Sequence, residues 1–169
     1  DSGHLPDDIK PKSLPGTQIH GAAVIENGDI VFNLERGGTV RMDRNSNIVW
    51  KLPHISHHSI TEHDDGNLWI PSTTRHTSVD PRYPKRKPPF DENTILEVSP
   101  DDGQILNRWS VQDVLEKNGY GGLLAMWTTP SNFEGRPRDD RLHHNDVEPF
   151  PEGMREGFFK KGDILVSLR

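Results

Sequence analysis

The chain has 169 residues, 31% of them hydrophobic and 27% charged, with 20 basic against 26 acidic side chains for a net charge of -6. Such an acidic balance argues against a general nucleic-acid or anionic-membrane binder, because neither polyanion attracts it, while leaving room for a local basic pocket. With no cysteine there is no disulfide framework, zinc–thiolate centre or cysteine nucleophile, and no apolar run reaches the ~20 residues of a membrane helix.

Residues 1–19 read as an N-terminal arm. The chain opens on Asp1 without a signal-like apolar stretch, so its natural N-terminus is expected to lie upstream. From there a repeat of β-rich units begins. His20-Gly21-Ala22-Ala23-Val24 leads to Gly28-Asp29-Ile30-Val31-Phe32, and His58-Ser59-Ile60-Thr61 leads to Gly66-Asn67-Leu68-Trp69-Ile70; each histidine precedes its glycine by the same interval, 28 − 20 and 66 − 58. Gly-Asp and Gly-Asn are hairpin-turn pairs, each followed by a strand-like run.

The second halves match as well. Thr39 to Asp43 turns through Arg44 to Asn47 into Ile48-Val49-Trp50, and Thr94 to Val98 turns through Pro100 to Gly103 into Gln104 to Trp109. Each unit therefore predicts four short antiparallel strands ending near a tryptophan, the pattern of a propeller blade that stacks its apolar faces on its neighbours.

Between the halves of the second unit, Ser72 to Asn93 is proline-rich and polar and reads as a long loop. Its basic run, Arg82 to Lys87, reads as solvated, and His63 and His76 as surface residues. Ser110-Val111-Gln112-Asp113 resembles a capping box, with Val111, Val114 and Leu115 at helical spacing and Asn118-Gly119 as a stop, so one short helix is expected there. A loop from Trp127 to Arg141 returns the chain to a third unit. That unit starts at His143, carries an insertion from Pro151 to Lys161, and reaches its second strand at Ile164 to Leu168.

The fold class is thus all-β: blades about 20–52 and 57–113, an incomplete one over 143–169, and a partial propeller domain spanning 20–169. About two and a half blades cannot close a ring of four to eight, so the chain is expected to be a fragment. Missing C-terminal blades or another chain should cover its open blade face.

Chemistry concentrates at the blade starts. In Leu142-His143-His144-Asn145-Asp146-Val147-Glu148, strand alternation sends His143 and Asn145 to one face and His144 to the other. Asn145 takes the register of His20 and His58, and His57 lies beside it. Arg169 ends the next apolar strand. Imidazole, amide and guanidinium together suit a tetrahedral oxyanion such as sulfate or phosphate. Against this stands the reading of turn and surface histidines, and of a strand-start hydrogen-bond network.

No clustered carboxylate–histidine set predicts a metal site. No Gly-x-Ser-x-Gly elbow is present, and Gly119-Tyr120-Gly121-Gly122 lacks the lysine and preceding strand of a phosphate loop.

Three segments carry a family resemblance: His57-His58-Ser59-Ile60 with Asp65-Gly66-Asn67; Asn118 to Leu124; and Leu142 to Glu148 ahead of Asp163-Ile164-Leu165-Val166-Ser167-Leu168-Arg169. From about His20 onward the chain resembles the bacterial arylsulfotransferases, and the His-x-Asn element with the downstream Ser-x-Arg is the most specific part. The resemblance implies a six-bladed propeller. It also implies transfer of a sulfuryl group from an aryl sulfate ester to a phenol through a sulfated histidine, with no nucleotide donor and no cofactor.

On this resemblance His143, Asn145 and Arg169 match sulfate-binding positions, and His58, or its neighbour His57, matches a pocket histidine. His58 is preferred because it shares the register of His20. The nucleophilic histidine is implied in a later blade, beyond Arg169. The implied partners are a small aryl sulfate and a phenol, in the periplasm or otherwise outside the cytoplasm. Two alternatives remain beside it: a non-catalytic propeller binding an anionic or sulfated ligand, and a scaffold propeller without a small-molecule site.

Overall fold

The computed structural model describes residues 18–35, 37–84, 86–126 and 142–168. The first sheet is a four-stranded antiparallel meander of β1 (Ile19–Val24), β2 (Ile30–Leu34), β3 (Gly38–Met42) and β4 (Ile48–Leu52). The second repeats it with β5 (Thr61–Glu62), β6 (Leu68–His76), β7 (Phe90–Val98) and β8 (Ile105–Ser110). A two-stranded sheet follows, of β9 (Asp146–Pro149) and β10 (Ile164–Ser167). The all-β, blade-like architecture expected from the repeat is therefore observed.

Repetition extends to small detail. The first hairpin of each four-stranded sheet turns on a left-handed glycine, Gly28 at φ +84° and Gly66 at φ +83°, a conformation that costs glycine nothing. The last strand pair of each carries a register shift at the matching place, Arg41/Met42 in one and Glu97/Val98 in the other.

The sheets stack through their apolar faces. Ile25, Val31, Trp50 and Leu52 of the first unit pack against Ile60, Leu68, Ile70, Leu96 and Val98 of the second. On its other face the second sheet places Trp69 and Ile95 against Val111, Leu124, Leu142 and Val147, with the Trp69 and Trp109 rings stacked at 5.1 Å. Strand alternation explains the division, since Leu68 and Ile70 go one way and Trp69 the other. The outer face of the first sheet stays open: the cross-strand row Val24, Ile30, Met42 and Ile48 leaves Val24 69% and Ile48 47% exposed.

Helix α1 (Val111–Lys117) starts where the capping box placed it, with Ser110 Oγ accepting the Asp113 N–H at 3.2 Å. It ends in a Schellman arrangement around left-handed Gly119, the Tyr120 N–H bonding the Leu115 carbonyl and the Gly119 N–H that of Glu116. A one-turn helix, α2 (Leu123–Met126), was not anticipated from the sequence.

The long loop expected over Ser72–Asn93 is shorter than that. β6 and β7 stay paired as far as His76↔Phe90, leaving only residues 77–89 as loop. Polar side chains bury here because each finds a partner, a long-range property that hydropathy does not report. Arg75 pairs with Asp91 at 3.0 Å. His76, expected at the surface, has a side chain only 12% exposed, clamped between Glu92 Oε2 at 2.7 Å and Asp80 at 3.2 Å. Tyr83 donates its hydroxyl toward Glu92 (2.9 Å) and Asp113 (2.6 Å).

The basic run is likewise not merely solvated. Arg82 reaches Asp80 and Glu92, and Arg86 lies 4.3 Å over the Phe90 ring. Burial pushes the Glu92 carboxyl up, but hydrogen bonds from His76, Ser110 and Tyr83 and the Arg82 charge outweigh it and hold the group below its ordinary value. Burial and the Asp113 hydrogen bond raise the Tyr83 phenol far above its own. His63, also expected at the surface, is 90% covered in its side chain, near Asp65 at 3.3 Å and the Phe150 carbonyl at 3.4 Å. Among the described residues no helix is long and apolar enough to cross a membrane.

Candidate functional site: a histidine-lined cleft

Three stretches of chain meet at one cleft: β1, the segment 53–60 ahead of β5, and the segment ahead of β9. The middle stretch runs beside β6. Ser56 bridges Ser72, the His57 N–H bonds the Pro71 carbonyl at 3.2 Å, and the Thr73 N–H bonds the Ile55 carbonyl at 2.8 Å. From the other side Asn33, fully buried in β2, aims its amide nitrogen at three successive carbonyls, those of His57 (3.4 Å), His58 (3.2 Å) and Ser59 (3.1 Å). Thr39 Oγ1 donates to Asn33 Oδ1 at 2.7 Å and lies 3.0 Å from Ser56 Oγ, which fixes the orientation of the amide.

Close approach between β1 and this segment depends on Gly21. A Cβ built there would stand 1.8 Å from the His58 carbonyl oxygen, so no other residue fits without moving His58. As a result the neighbouring His20 ring lies 4.0 Å from that of His58. His58 is 5.1 Å from His57 and 5.5 Å from His143, both edge-on, while His57 and His143 are nearly parallel at 6.4 Å.

His58 and His143 both adopt left-handed backbone, φ +55° and +43°, which histidine visits rarely and only where its surroundings dictate it. These four histidines, Thr73 and Asp91 line the cleft, with Glu35 at its exposed rim. Asp91 is buried, and both its carboxylate oxygens are already engaged by Arg75, at 3.0 and 3.2 Å.

Of the residues expected at a shared site, the structure thus brings together His20, His57, His58 and His143. Asn145 is half-buried, its N–H bonding the Ser167 carbonyl at 2.9 Å, and it is not among the side chains lining the cleft. Arg169 lies outside the described residues.

His144, expected to face away, instead turns inward. It is fully buried, its ring is 5.0 Å from that of His57, and its Nε2 accepts the Ser72 N–H at 3.1 Å. Strand alternation misplaced it because β9 begins only at Asp146 and the left-handed His143 reverses the local sense of the chain. Behind Ser72 stands His54, whose Nδ1 is 2.7 Å from Ser72 Oγ; burial and the Arg108 charge lower its pKa and favour the neutral ring.

An imidazole presents its ring nitrogens in fixed directions, so the cleft offers directed hydrogen-bonding groups to a bound oxyanion. Among the described residues no group of three or more histidine and carboxylate side chains is arranged to hold a metal ion. Sequence reading missed Gly21, Asn33 and Ser72. The first two left a signal, a glycine inside a strand and an amide in the middle of an apolar one, each of which marks a close approach or a demanding partner.

The arylsulfotransferase (ASST) family model matches residues 21–169, most of the chain, including His57, His58 and His143. The chain belongs to the arylsulfotransferase family. No curated protein matches it. Among solved structures it is similar to a protein of unknown function from Bacteroides caccae, 18% identical, with a TM-score of 0.41. That match covers 56% of this chain and 29% of the Bacteroides protein, so the chain spans under a third of its length.

Proposed function

We propose that the cleft binds the sulfuryl group of an aryl sulfate ester and that the protein transfers it to a phenol through a sulfohistidine. The observation that carries this reading is the gathering of His20, His57, His58 and His143 from three separate stretches of chain, with neighbouring ring centres 4.0 to 6.4 Å apart, in a family-matched chain. In the first half-reaction a histidine nitrogen attacks sulfur, the aryl O–S bond breaks, and the phenolate departs with the bonding pair. In the second the acceptor phenol loses its proton to a base, its oxygen attacks sulfur, and the N–S bond breaks to regenerate the imidazole. Splitting one displacement into two is what a covalent carrier provides.

Charge on the three non-bridging oxygens must be met by donors already in place, as in phosphoryl transfer. His58 and His143 are assigned that task, with Arg169 joining them on the family resemblance and His20 and His57 bordering the aryl group. The attacking histidine is assigned to a later part of the protein. The same reading places the protein outside the cytoplasm, which cell fractionation tests.

The deciding experiment gives the full-length protein 4-nitrophenyl sulfate with and without a phenol acceptor. Acceptor-dependent release of nitrophenol, with a stoichiometric burst in its absence, is expected. Removing one donor from a water-poor site costs about 2 to 4 kcal/mol in the transition state, so His58→Ala and Arg169→Ala should each lower turnover by roughly two orders of magnitude or more. Arg169→Lys should recover only part of that, because an ammonium cannot reproduce the planar fork. Tight binding of aryl sulfates without turnover would replace the enzyme reading by that of a binding propeller.

A further inference from the structure

We propose that His144 is a positioning residue that sets the distance between the cleft histidines of the second and third units; this rests on the cleft being the sulfuryl site. Its Nε2 accepts the Ser72 N–H, so that nitrogen carries no proton and the neutral ring holds its hydrogen on Nδ1. Both partners are completely buried, so neither can exchange this hydrogen bond for one to water.

Ser72 is the hub of the segment that presents His57 and His58. Its hydroxyl donates to the Ile55 carbonyl at 2.7 Å, which leaves His54 Nδ1–H as the donor to Ser72 Oγ, and the residues on either side of it hold the His57 N–H and the Ile55 carbonyl. His57 Nε2 lies 3.1 Å from Thr73 Oγ1 on the same strand. Pinning Ser72 to His144 therefore ties the His57–His58 segment to the residue directly after His143. The 5.5 Å spacing of His58 and His143 is a product of that tie. A donor pair aimed at one sulfuryl group tolerates little misplacement, since an error of about 1 Å can cost a hundredfold in rate.

The test uses the full-length protein with His144→Leu, which keeps bulk but removes the acceptor, and His144→Gln, whose amide oxygen can stand where Nε2 stood. Crystal structures of both and steady-state kinetics with 4-nitrophenyl sulfate, normalised to burst-titrated sites, are the readouts. His144→Leu should separate the His58 and His143 rings by at least 1 Å and lower kcat per titrated site tenfold or more with KM changed less than threefold. His144→Gln should restore both the spacing and kcat to within threefold.

A purely structural role would reduce the yield of folded protein and leave kcat per site unchanged, which would overturn the proposal. So would unmoved rings in the His144→Leu crystal. If that variant does not fold, His144→Gln decides, since wild-type spacing and kcat support the pin and a tenfold loss with restored fold refutes it. If the wild-type protein transfers no sulfuryl group, the functional reading falls, and the ring spacing in the variants still settles whether His144 is the pin.

Discussion

The two junctions between successive units solve one problem by opposite means. At the first, a side chain donates to backbone: Asn33 of β2 faces the carbonyls of His57, His58 and Ser59. At the second, backbone donates to a side chain: the Ser72 N–H of β6 bonds His144. Aligning the sheets on Gly28 and Gly66 puts Asn33 opposite Pro71 (33 − 28 and 71 − 66), a residue with no N–H and no polar side chain, so the donor at the second junction falls to the next residue. What is preserved between the repeats is the delivery of histidine to the cleft. The residue type that delivers it is not.

Gly21→Ala is the most severe way to break the first junction. Its Cβ would meet the His58 carbonyl at 1.8 Å, and backbone cannot rotate away as a side chain can. Overpacking of this kind costs about 1 to 3 kcal/mol, and the displaced His58 should lower kcat/KM about a hundredfold, both readable by thermal denaturation and nitrophenol release. Unchanged activity would show that His58 does not need its place beside β1.

Asn33→Leu keeps the branched shape and removes the donor. Leaving buried carbonyls unmatched should destabilise the protein by about 2 to 3 kcal/mol in denaturant titration, and Asn33→Asp should do no better because a carboxylate cannot donate to a carbonyl.

The second sheet differs from the first in one further respect, its long polar extension, and that difference should appear in pH dependence. Glu92 has its pKa lowered in the fold, so its ionised form contributes stability that is fully present above the ordinary value of 4.5 and is lost as the pH falls through the lower folded value. Tm should therefore drop on acidification below about pH 4.5, and Glu92→Gln should flatten that part of the curve while lowering Tm at pH 7. A Glu92→Gln profile parallel to wild type would remove Glu92 from this role. Least of all, Tyr83→Phe removes hydrogen bonds to Glu92 and Asp113 and should cost about 1 kcal/mol, a shift of a few degrees in Tm.

The blade pattern was legible because its signals are local. Gly28 and Gly66 mark turns that need left-handed backbone, alternation assigns Leu68 and Trp69 to opposite faces, and Ser110 caps a helix three residues before its partner. The extension of β6 and β7 was not, because its burial rests on pairs distant in sequence such as Arg75 with Asp91 and His76 with Glu92. At the cleft, register alone located His20 and His58. His144 escaped because the rule applied to it holds inside a strand, and the strand starts two residues later.

The Asn33 anchor has a consequence for how a ligand would meet this cleft. Three consecutive peptide groups are immobilised before anything arrives, so their configurational entropy is surrendered when the chain folds and none is left to lose on association. Residues 57–59 should superpose between free and occupied crystals. Association should proceed in a single kinetic phase, linear in ligand concentration, with no slow ordering step.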